Sequence, residues 1–420
     1  MTATDFELFW DRSLLVYSLP AAYLLDLLVG DPRGWPHPVR AMGWLVSRGE
    51  RWLRRVTRAG RAAGLLLVAC VLVATAVTVA ATLWSAAQFG PRVRFAAEVL
   101  LIGFGLASRS LASETMRVVR AAERSDLIAA RRELALIVGR DTESLGSEET
   151  HQACIETVAE NTTDAVVAPI LFTALAGPLG LWLFKAASTM DSMLGHRDER
   201  FARFGWAAAR LDDVLNFVPA RITFLLMPLA ALVVGARPLA AWRIGWRDGR
   251  KHASPNAGVA EATMAGALGV QLGGPGSYGG VWVDRPLLGD RVRPATADLV
   301  RRAIRVMLVT SCLTLGLAEA VLWAASDRQR SSQFEPGETC HEIDETTARV
   351  VGRARLRLIL RDPSARRASG GQLGRRGACV ARTHSVRAER LVVVARDVGR
   401  RSSAGGRGAS AGAGGAHGRL

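Results

Sequence analysis

Four clusters of charged residues lie beside apolar runs, where a charge is costly and needs a reason. One holds Asp31 and His37, within DLLVGDPRGWPHPVRAMG, as candidates for binding phosphate or substrate, the alternative being a turn at the membrane interface. Another is an acidic stripe, in which Glu156, Glu160 and Asp164 recur at i, i+4 and i+8. On a helix this spacing stacks three carboxylates along one face. Because like charges at this spacing destabilise a helix, we expect positively charged groups to face the stripe.

The acidic stripe has two interpretations. A few carboxylates together with substrate phosphates are the ligands that Mg²⁺ prefers, so Glu156, Glu160 and Asp164 are candidate metal ligands. The alternative is a solvated acidic face without function. Both interpretations stay open at the level of sequence.

A third cluster lies in KAASTMDSMLGHRDERFARFGWAAARLDDVLN. Lys185 and Asp191 bring a cation and a carboxylate together and are candidate catalytic residues, as is Asp212. Arg210 is a candidate for binding phosphate or substrate, although an ion pair with Asp213 at i+3 would also explain it.

The fourth cluster is RDGRKHASPNAG, which precedes the glycine-rich string GALGVQLGGPGSYGG. Basic groups, a hydroxyl and turn amides predict a phosphate-binding loop. The candidates are Arg250, Lys251, His252, Ser254 and Asn256. The spacing G-x-x-x-x-G-K-[ST] of a P-loop is absent, so this loop is not a Walker motif.

Lysine is rare in this chain. Of 54 Lys and Arg, only Lys185 and Lys251 are lysines, and both lie in charged clusters. An ammonium is a compact point charge with three donors, whereas a guanidinium imposes a planar fork. We therefore predict that both lysines contact phosphate or acyl-phosphate oxygens, the alternative being chance.

The elements that must position these residues are mostly apolar helices. Residues 62–91 are uncharged and predict a transmembrane helix. Residues 165–184 are long enough to span, but Pro169, Gly177, Pro178 and Gly180 interrupt them, which predicts a kink or a re-entrant hairpin. Four further apolar runs are each too short to span alone: 13–25, 99–108, 222–236 and 306–318.

The arginine distribution predicts the orientation. Eight arginines lie between Gly30 and Arg61, which places that loop in the cytoplasm. Residues 109–164 then form cytoplasmic helices, and residues 237–302, rich in Gly and Pro, form a structured loop region. The fold class expected is a mainly α, polytopic membrane protein with transmembrane or re-entrant helices and cytoplasmic helical and Gly-rich loops.

The end of the chain has a different composition. Residues 331–420 carry 17 Arg against 8 Asp or Glu and finish in SSAGGRGASAGAGGAHGRL, which has little to bury. We predict a membrane-embedded domain at 1–330 and a largely disordered tail at 331–420. The net charge of +16 does not indicate a nucleic-acid partner, because no basic segment is interleaved with aromatic residues.

The four clusters together resemble the adenosylcobinamide-phosphate synthase family, also called CobD or CbiB. The matching strings are DLLVGDPRGWPHPVRAMG, ETVAENTTDAVVAPILF, KAASTMDSMLGHRDERFARFGWAAARLDDVLNFVPARIT and RDGRKHASPNAGVAEATMAGALGVQLGGPGSYGG. They occur in family order, within residues 14–325. The tail departs from the family pattern.

The resemblance implies a cell-membrane enzyme of cobalamin biosynthesis, with active-site loops on the cytoplasmic side. Its expected reaction is the ATP-dependent amide ligation of adenosylcobyric acid with an aminopropanol phosphate. ATP and Mg²⁺ are the expected cofactors, and other membrane enzymes of corrinoid assembly are expected partners. The alternative is a membrane transporter or corrinoid-binding protein without ligase activity, since transporters also carry charges beside broken helices.

Overall fold

The computed structural model describes residues 12–31, 34, 37–57, 60–195 and 200–332 of the 420-residue chain. Within these ranges the protein is almost entirely helical, with two short two-stranded sheets. The predicted tail lies outside the described residues apart from its first two, Ser331 and Ser332, which end the last helix. The mainly α class predicted from the sequence is confirmed.

The described helices are α1 Arg12–Val29, α2 Pro38–Val56, α3 Arg61–Gln88, α4 Pro91–Gly105, α5 Ser108–Glu123, α6 Leu127–Leu134, α7 Ser147–Asn161, α8 Ala168–Leu194, α9 Trp206–Leu215, α10 Phe217–Val233, α11 Pro238–Asp248, α12 Ala257–Leu268 and α13 Ala297–Ser332. A π-helical segment, Thr162–Val167, joins α7 to α8. The strands are β1 Leu272–Gly273, β2 Gly276–Tyr278, β3 Val281–Val283 and β4 Leu287–Leu288.

Four helical stretches in the described part of the chain are long and apolar enough to cross a membrane: Arg61–Gln88, Pro91–Glu123, Ser147–Leu194 and Ala297–Asp327. The bent pair α9 and α10 becomes a fifth if it is counted as one span. Helix α3 matches the predicted span at 62–91 and exposes large apolar side chains, including Val73, Val77 and Trp84, as lipid-facing helices do.

The run at 306–318, predicted to be too short to span alone, lies inside the 36-residue helix α13. The flanking residues that the run needs in order to span are present, because the helix continues through charged residues at both ends of the apolar run. The run at 99–108 likewise lies inside the helical stretch Pro91–Glu123. Hydropathy locates the uncharged centre of a helix, whereas backbone hydrogen bonding sets its length.

Residues 147–194 form a helical hairpin. The phenyl rings of Phe172 and Phe184 stack with centroids 4.9 Å apart, although twelve residues of straight helix would separate them by about 18 Å. The reversal occurs at Ala176 and Gly177, which have non-helical dihedral angles, and Pro178 follows. Gly177 has φ +57° and ψ −157°, a conformation open essentially to glycine alone. The predicted hairpin at 165–184 is thereby confirmed.

The second arm of the hairpin, residues 178–194, packs along α3. Gly177 and Pro178 at the tip line a small cavity together with Val79 and Leu83 of α3. At the other end of the arm, Leu194 belongs to the same apolar cluster as the first turns of α3. The arm therefore runs antiparallel to α3. Its charged residues Lys185 and Asp191 lie between the tip at Gly177 and the end at Leu194.

Residues 237–302 contain two helices where the sequence predicted loops. Helix α12 is buried at every position except Val259, and it packs so closely on α11 that a Cβ at Gly266 would meet the backbone of Ala240. The sequence of α12 is AGVAEATMAGAL. The loop prediction was wrong because a helix buried on all sides shows no amphipathic periodicity, and its small residues are typical of loops as well as of close helix packing.

Two antiparallel strand pairs follow α12. Leu272 pairs with Leu288 in one, and Gly276 pairs with Val283 in the other. The first pair is joined to α7 by a hydrogen bond from Gln152 Nε2 to the carbonyl oxygen of Gly273, 2.9 Å long. The strands thus place the glycine-rich segment against the helix that carries the acidic stripe.

Candidate active site

A cluster of four carboxylates and one ammonium lies where the hairpin meets α9. Its members are Asp164 and the four charged groups that act on it most strongly, which are Glu160, Asp212, Lys185 and Asp191. Glu160 is exposed, and the other four are half-buried, so the cluster is open to small molecules. The hairpin and the α9 segment thus bring five sequence-predicted candidates from two clusters together.

Lys185 connects this carboxylate cluster to the first sequence cluster. Its ammonium interacts most strongly with Asp164, and then with Asp31 and Asp26. Asp26 is 3% exposed and accepts a hydrogen bond from the backbone N–H of Ser108, 3.0 Å away. Lys185 therefore lies between two groups of carboxylates, and its predicted contact with phosphate or acyl-phosphate oxygens stays a prediction.

Arg285 is the centre of a second group of buried charges. Its guanidinium lies 3.3 Å from both carboxylate oxygens of Glu261 and 3.7 Å from Oε2 of Glu156. It also donates to Tyr278 Oη at 2.7 Å and contacts His252 Nε2 at 3.0 Å. Of these residues, only His252 and Glu156 were candidates from the sequence.

The predicted positive partners of the acidic stripe are present. Arg140 Nη2 lies 2.6 Å from Glu156 Oε2, and Arg285 and Lys185 are the cations nearest to Glu160 and Asp164. Glu156 also accepts a hydrogen bond from the N–H of Gly273, at 2.7 Å. Its oxygens are thus engaged by protein donors.

The stripe is not a preformed metal cage. Among the described residues, no three His, Cys, Asp or Glu side chains are grouped so as to hold a metal ion. The three-carboxylate ligand set Glu156, Glu160 and Asp164 is therefore not assembled, because Glu156 faces Arg140 and Arg285 whereas Asp164 faces Lys185.

Glu261 is buried deeply beside this acidic region. Burial, followed by the nearby charges of Glu160 and Glu156, raises the pKa of Glu261, while Arg285 and Arg140 act in the opposite direction. A side chain that gains or loses its proton easily therefore lies next to the carboxylate cluster.

Asp31 and His37 lie at a cavity of about 600 Å³. His37 Nδ1 accepts a hydrogen bond from the N–H of Val39, which starts α2, so the ring proton resides on Nε2. Nε2 lies 3.3 Å from Asp31 Oδ1. The cavity wall also includes Ser110 and Asn161, and it therefore extends from this pair to the end of α7.

The fourth sequence cluster forms a tight turn between α11 and α12. Lys251 Nζ lies 2.6 Å from Oδ1 of the buried Asp248. Burial alone would raise the pKa of Asp248, but hydrogen bonds from Arg247, Lys251 and the Gly289 N–H hold it well below its usual value. Lys251 therefore has a protein partner of its own, and its phosphate role stays a prediction.

The other candidates of this turn also have protein partners. Ser254 Oγ accepts from the N–H groups of Asn256 and Ala257, at 3.3 Å each. Asn256 accepts from Arg221 at 2.7 Å and donates to the carbonyl oxygen of Asp213 at 2.8 Å. These bonds fix the start of α12 against α9 and α10.

Two arginine candidates lie on the surface. Arg250 is exposed, with its guanidinium carbon 5.8 Å from the centroid of the Trp246 ring. Arg210 is exposed and lies 3.8 Å from Asp213, as the ion-pair alternative predicted. No contact of either residue with the carboxylate cluster is seen in the described part of the chain.

Sequence reasoning missed Arg285 and Arg140 as site residues. A signal for the arginines existed, because the acidic stripe required cations. Arginine supplies most positive charge in this chain, so nothing in the residue type singled out these two. Their assignment needed the positions of the strands and of the α6–α7 loop.

A second, larger cavity lies on the other side of Glu156. It measures about 740 Å³ and is lined by Arg140, Arg291 and Arg293 together with the backbone of the glycine-rich residues 273–276. Guanidinium groups are suited to anions such as phosphates.

Known proteins are similar in sequence to this chain over most of its described residues. The family model for CobD/Cbib protein matches residues 19–307. A cobalamin biosynthesis protein CobD of Geobacter metallireducens is 48% identical over 302 residues, which are 71% of this chain and 93% of that protein. A cobalamin biosynthesis protein CbiB of Salmonella typhimurium is 42% identical over 299 residues, 70% of this chain and 94% of that protein. No solved structure matches. On the extent of these matches, the chain belongs to the CobD/Cbib protein family.

Proposed function

We propose that this protein acts in cobalamin biosynthesis and joins adenosylcobyric acid to an aminopropanol phosphate in an ATP-dependent amide ligation. The observation that carries the proposal is the cluster of Glu160, Asp164, Lys185, Asp191 and Asp212. This cluster faces Arg285 on one side and Asp31, at the 600 Å³ cavity, on the other. Ionised groups of both signs, held beside apolar helices, suit a reaction that moves phosphoryl groups and a proton.

The chemistry proceeds in two steps that balance. An oxygen of the corrinoid carboxylate attacks the γ-phosphorus of ATP, which forms an acyl phosphate and releases ADP. The amine nitrogen of the second substrate, after losing its ammonium proton, attacks the acyl carbon. The C–O bond to phosphate then breaks, leaving an amide and inorganic phosphate.

Lys185 stabilises the negative charge that develops on the acyl phosphate, since it is the cation among the carboxylates of the cluster. Asp191 and Asp212 are the candidates for accepting the ammonium proton, because both belong to the same cluster. Asp31, whose carboxylate lies 3.3 Å from His37 Nε2, binds the ammonium at the cavity. Lys251, His252 and Arg250 remain the candidates for a phosphate group.

A divalent cation would be held at this cluster together with the ATP phosphates and water, because no three carboxylates of the described residues are grouped to hold it alone. Four carboxylates around one ammonium leave an excess of negative charge, which a hydrated Mg²⁺ would balance through one or two of them. Glu160 and Asp164 would hold it. When bound, the metal supplies charge neutralisation for the ATP phosphates.

The test is product analysis. We expect purified protein supplied with adenosylcobyric acid, aminopropanol phosphate and Mg-ATP to give adenosylcobinamide phosphate and ADP in equal amounts, measured by mass spectrometry. Asp164→Asn should lose most of this activity, whereas Asp298→Asn, at a highly exposed position at the start of α13, should retain it. Corrinoid binding or transmembrane flux without ADP and amide formation would overturn the proposal and favour the transporter or binding-protein alternative.

A further inference from the structure

The 600 Å³ cavity beside Asp31 has one end at the carboxylate cluster. Its wall includes Asn161 and Ala165, which lie on either side of Asp164 along the chain. The Lys185 ammonium interacts with both Asp164 and Asp31, so it connects the cluster to this cavity. A small molecule in the cavity therefore has one end next to the groups that carry out the proposed ligation.

The wall of this cavity also contains a cation. Of the described residues that line it, Arg40 is the only lysine or arginine. Arg40 is the third residue of α2, and His37 is the N-cap of that helix. Side chains at these two positions are neighbours, as they are in a capping box. Because His37 Nε2 lies 3.3 Å from Asp31 Oδ1, the ring of His37 connects the cation to the carboxylate within one cavity wall.

Arg40 differs from the other basic candidates in its contacts. Lys251 and Arg210 each lie within 4 Å of a carboxylate oxygen, at 2.6 and 3.8 Å. The Arg40 side chain is exposed, and its guanidinium forms no ion pair or hydrogen bond with any described residue. A guanidinium presents its donors in a planar fork that matches phosphate oxygens. Arg40 is therefore suited to an anionic group of a molecule in the cavity.

The charges at the two ends determine the orientation of such a molecule. The carboxylate cluster has four negative groups and one ammonium, so it repels a phosphate dianion and attracts an ammonium. The ammonium end of a ligand therefore lies toward Asp31, and a phosphate end lies toward Arg40. Phe104 and Leu111 add apolar surface to the wall, which suits a short carbon chain.

We infer that this cavity binds the amino alcohol phosphate, with its phosphomonoester group on Arg40 and its ammonium on Asp31. The inference rests on the proposed function and deepens it, because it names the residue that recognises the phosphate of the second substrate. The amine nitrogen then lies at the end of the cavity where the acyl phosphate forms. Lys251, His252 and Arg250 remain the candidates for the phosphates of ATP.

The experiment measures binding of aminopropanol phosphate to the full-length protein in detergent by isothermal titration calorimetry, without ATP or corrinoid. We expect Arg40→Gln to weaken binding by about tenfold or more, because a charge-assisted contact with phosphate is lost. Arg40→Lys keeps the charge without the planar fork and should weaken binding less than Arg40→Gln. The melting temperature of each variant checks that it is folded.

Two controls separate a phosphate contact from general electrostatics. Arg51→Gln removes another exposed arginine of α2 that does not line the cavity, and it should change the affinity by no more than about threefold. Aminopropanol has the ammonium but no phosphate. Its binding, measured by saturation-transfer NMR, should be unchanged in Arg40→Gln and weakened in Asp31→Asn.

Four outcomes would overturn the inference. Wild-type protein fails to bind aminopropanol phosphate; Arg40→Gln binds it within about threefold of wild type; Arg40→Gln and Arg51→Gln weaken binding equally; or Arg40→Gln weakens aminopropanol as much as its phosphate. Because neither ATP nor corrinoid is present in the binding measurement, failure of the ligase assay leaves this site standing. Unchanged binding in Arg40→Gln, with product still formed, leaves the ligase proposal standing.

Discussion

Lys251 forms a 2.6 Å ion pair with Asp248 and remains half-exposed. If its remaining donors hold a phosphate group, Lys251→Arg should lose activity although it keeps the charge, because the planar fork replaces a point charge. Loss of one preorganised donor to a developing anion costs about 2.7–4 kcal/mol, or a hundred- to a thousandfold in rate. The rate of steady-state product formation by wild type and Lys251→Arg measures this loss of activity.

Lys251→Ala should lose still more activity than Lys251→Arg. The control is the melting temperature of each variant, because loss of the Asp248 contact also affects folding. Near-normal turnover by a folded Lys251→Arg variant would reduce this residue to a structural partner of Asp248.

Asp248 gives the protein a specific dependence of stability on pH. Its pKa is depressed in the folded state by Arg247, Lys251 and Gly289, against the effect of burial. The ionised form therefore adds stability that is present above the ordinary carboxyl pKa of about 3.9 and is lost as the pH falls through the folded value. We expect Asp248→Asn to lower stability at pH 7 by about 1–3 kcal/mol.

The difference in melting temperature between wild type and Asp248→Asn should begin to narrow below about pH 4, where the unfolded wild-type chain takes up a proton at Asp248 while the folded protein does not. Scanning fluorimetry of both proteins in detergent, from pH 3 to 7, measures this difference in melting temperature. Asp284→Asn, at an exposed acidic position, is the reference for unspecific charge effects. A difference that stays constant over this range would contradict the assignment.

At the scale of elements, the hairpin depends on one glycine. Gly177 has φ +57° and ψ −157°, so an alanine there strains the backbone by about 1–3 kcal/mol. We expect Gly177→Ala to lower the melting temperature and the activity together, because the second arm carries Lys185 and Asp191. Melting curves and product assays on the same preparation provide both values.

Gly316→Ala in α13 is the matched control for the hairpin. A Cβ there meets nothing within 4 Å, and alanine is the better helix former by roughly 1 kcal/mol. This variant should be neutral or stabilised. If Gly177→Ala behaved in the same way, the reversal at 176–177 would not be required for the fold.

At the scale of the whole molecule, the site requires residues far apart in sequence to lie on one side of the membrane. We expect cysteines at the exposed positions 143 and 251 to react with an impermeant maleimide only from the cytoplasmic face. A cysteine at Gln88, at the far end of α3, should react from the opposite face. Labelling of 143 and 251 from opposite faces would exclude a shared site.

The tail is expected to be dispensable. Helix α13 ends at Ser332, so truncation after that residue keeps every described element. Because the tail has little apolar surface to bury, we expect activity to stay within a few-fold of the full chain. Loss of product formation by a truncated protein that still inserts and melts normally would show that the tail contributes to function.

The sequence by itself determined the class of protein and the identity of most charged site residues. The uncharged run of α3 and the interrupted run at 165–184 are local patterns, and local composition and spacing encode a helix and a chain reversal directly. The need for cations opposite the stripe also followed from the sequence, because like charges repel wherever they are placed.

Only the tertiary structure decided which charges meet. Arg285 contacts Glu156 and Glu261 because the short strands bring it next to α7 and α12. Glu156 is therefore not available as one of the three predicted metal ligands. Helix α12 was missed because it is buried on all sides and has no periodicity to detect. The cavity between Asp31 and Asn161 likewise has no signature in sequence, since only the packing of the helices brings the residues of its wall together.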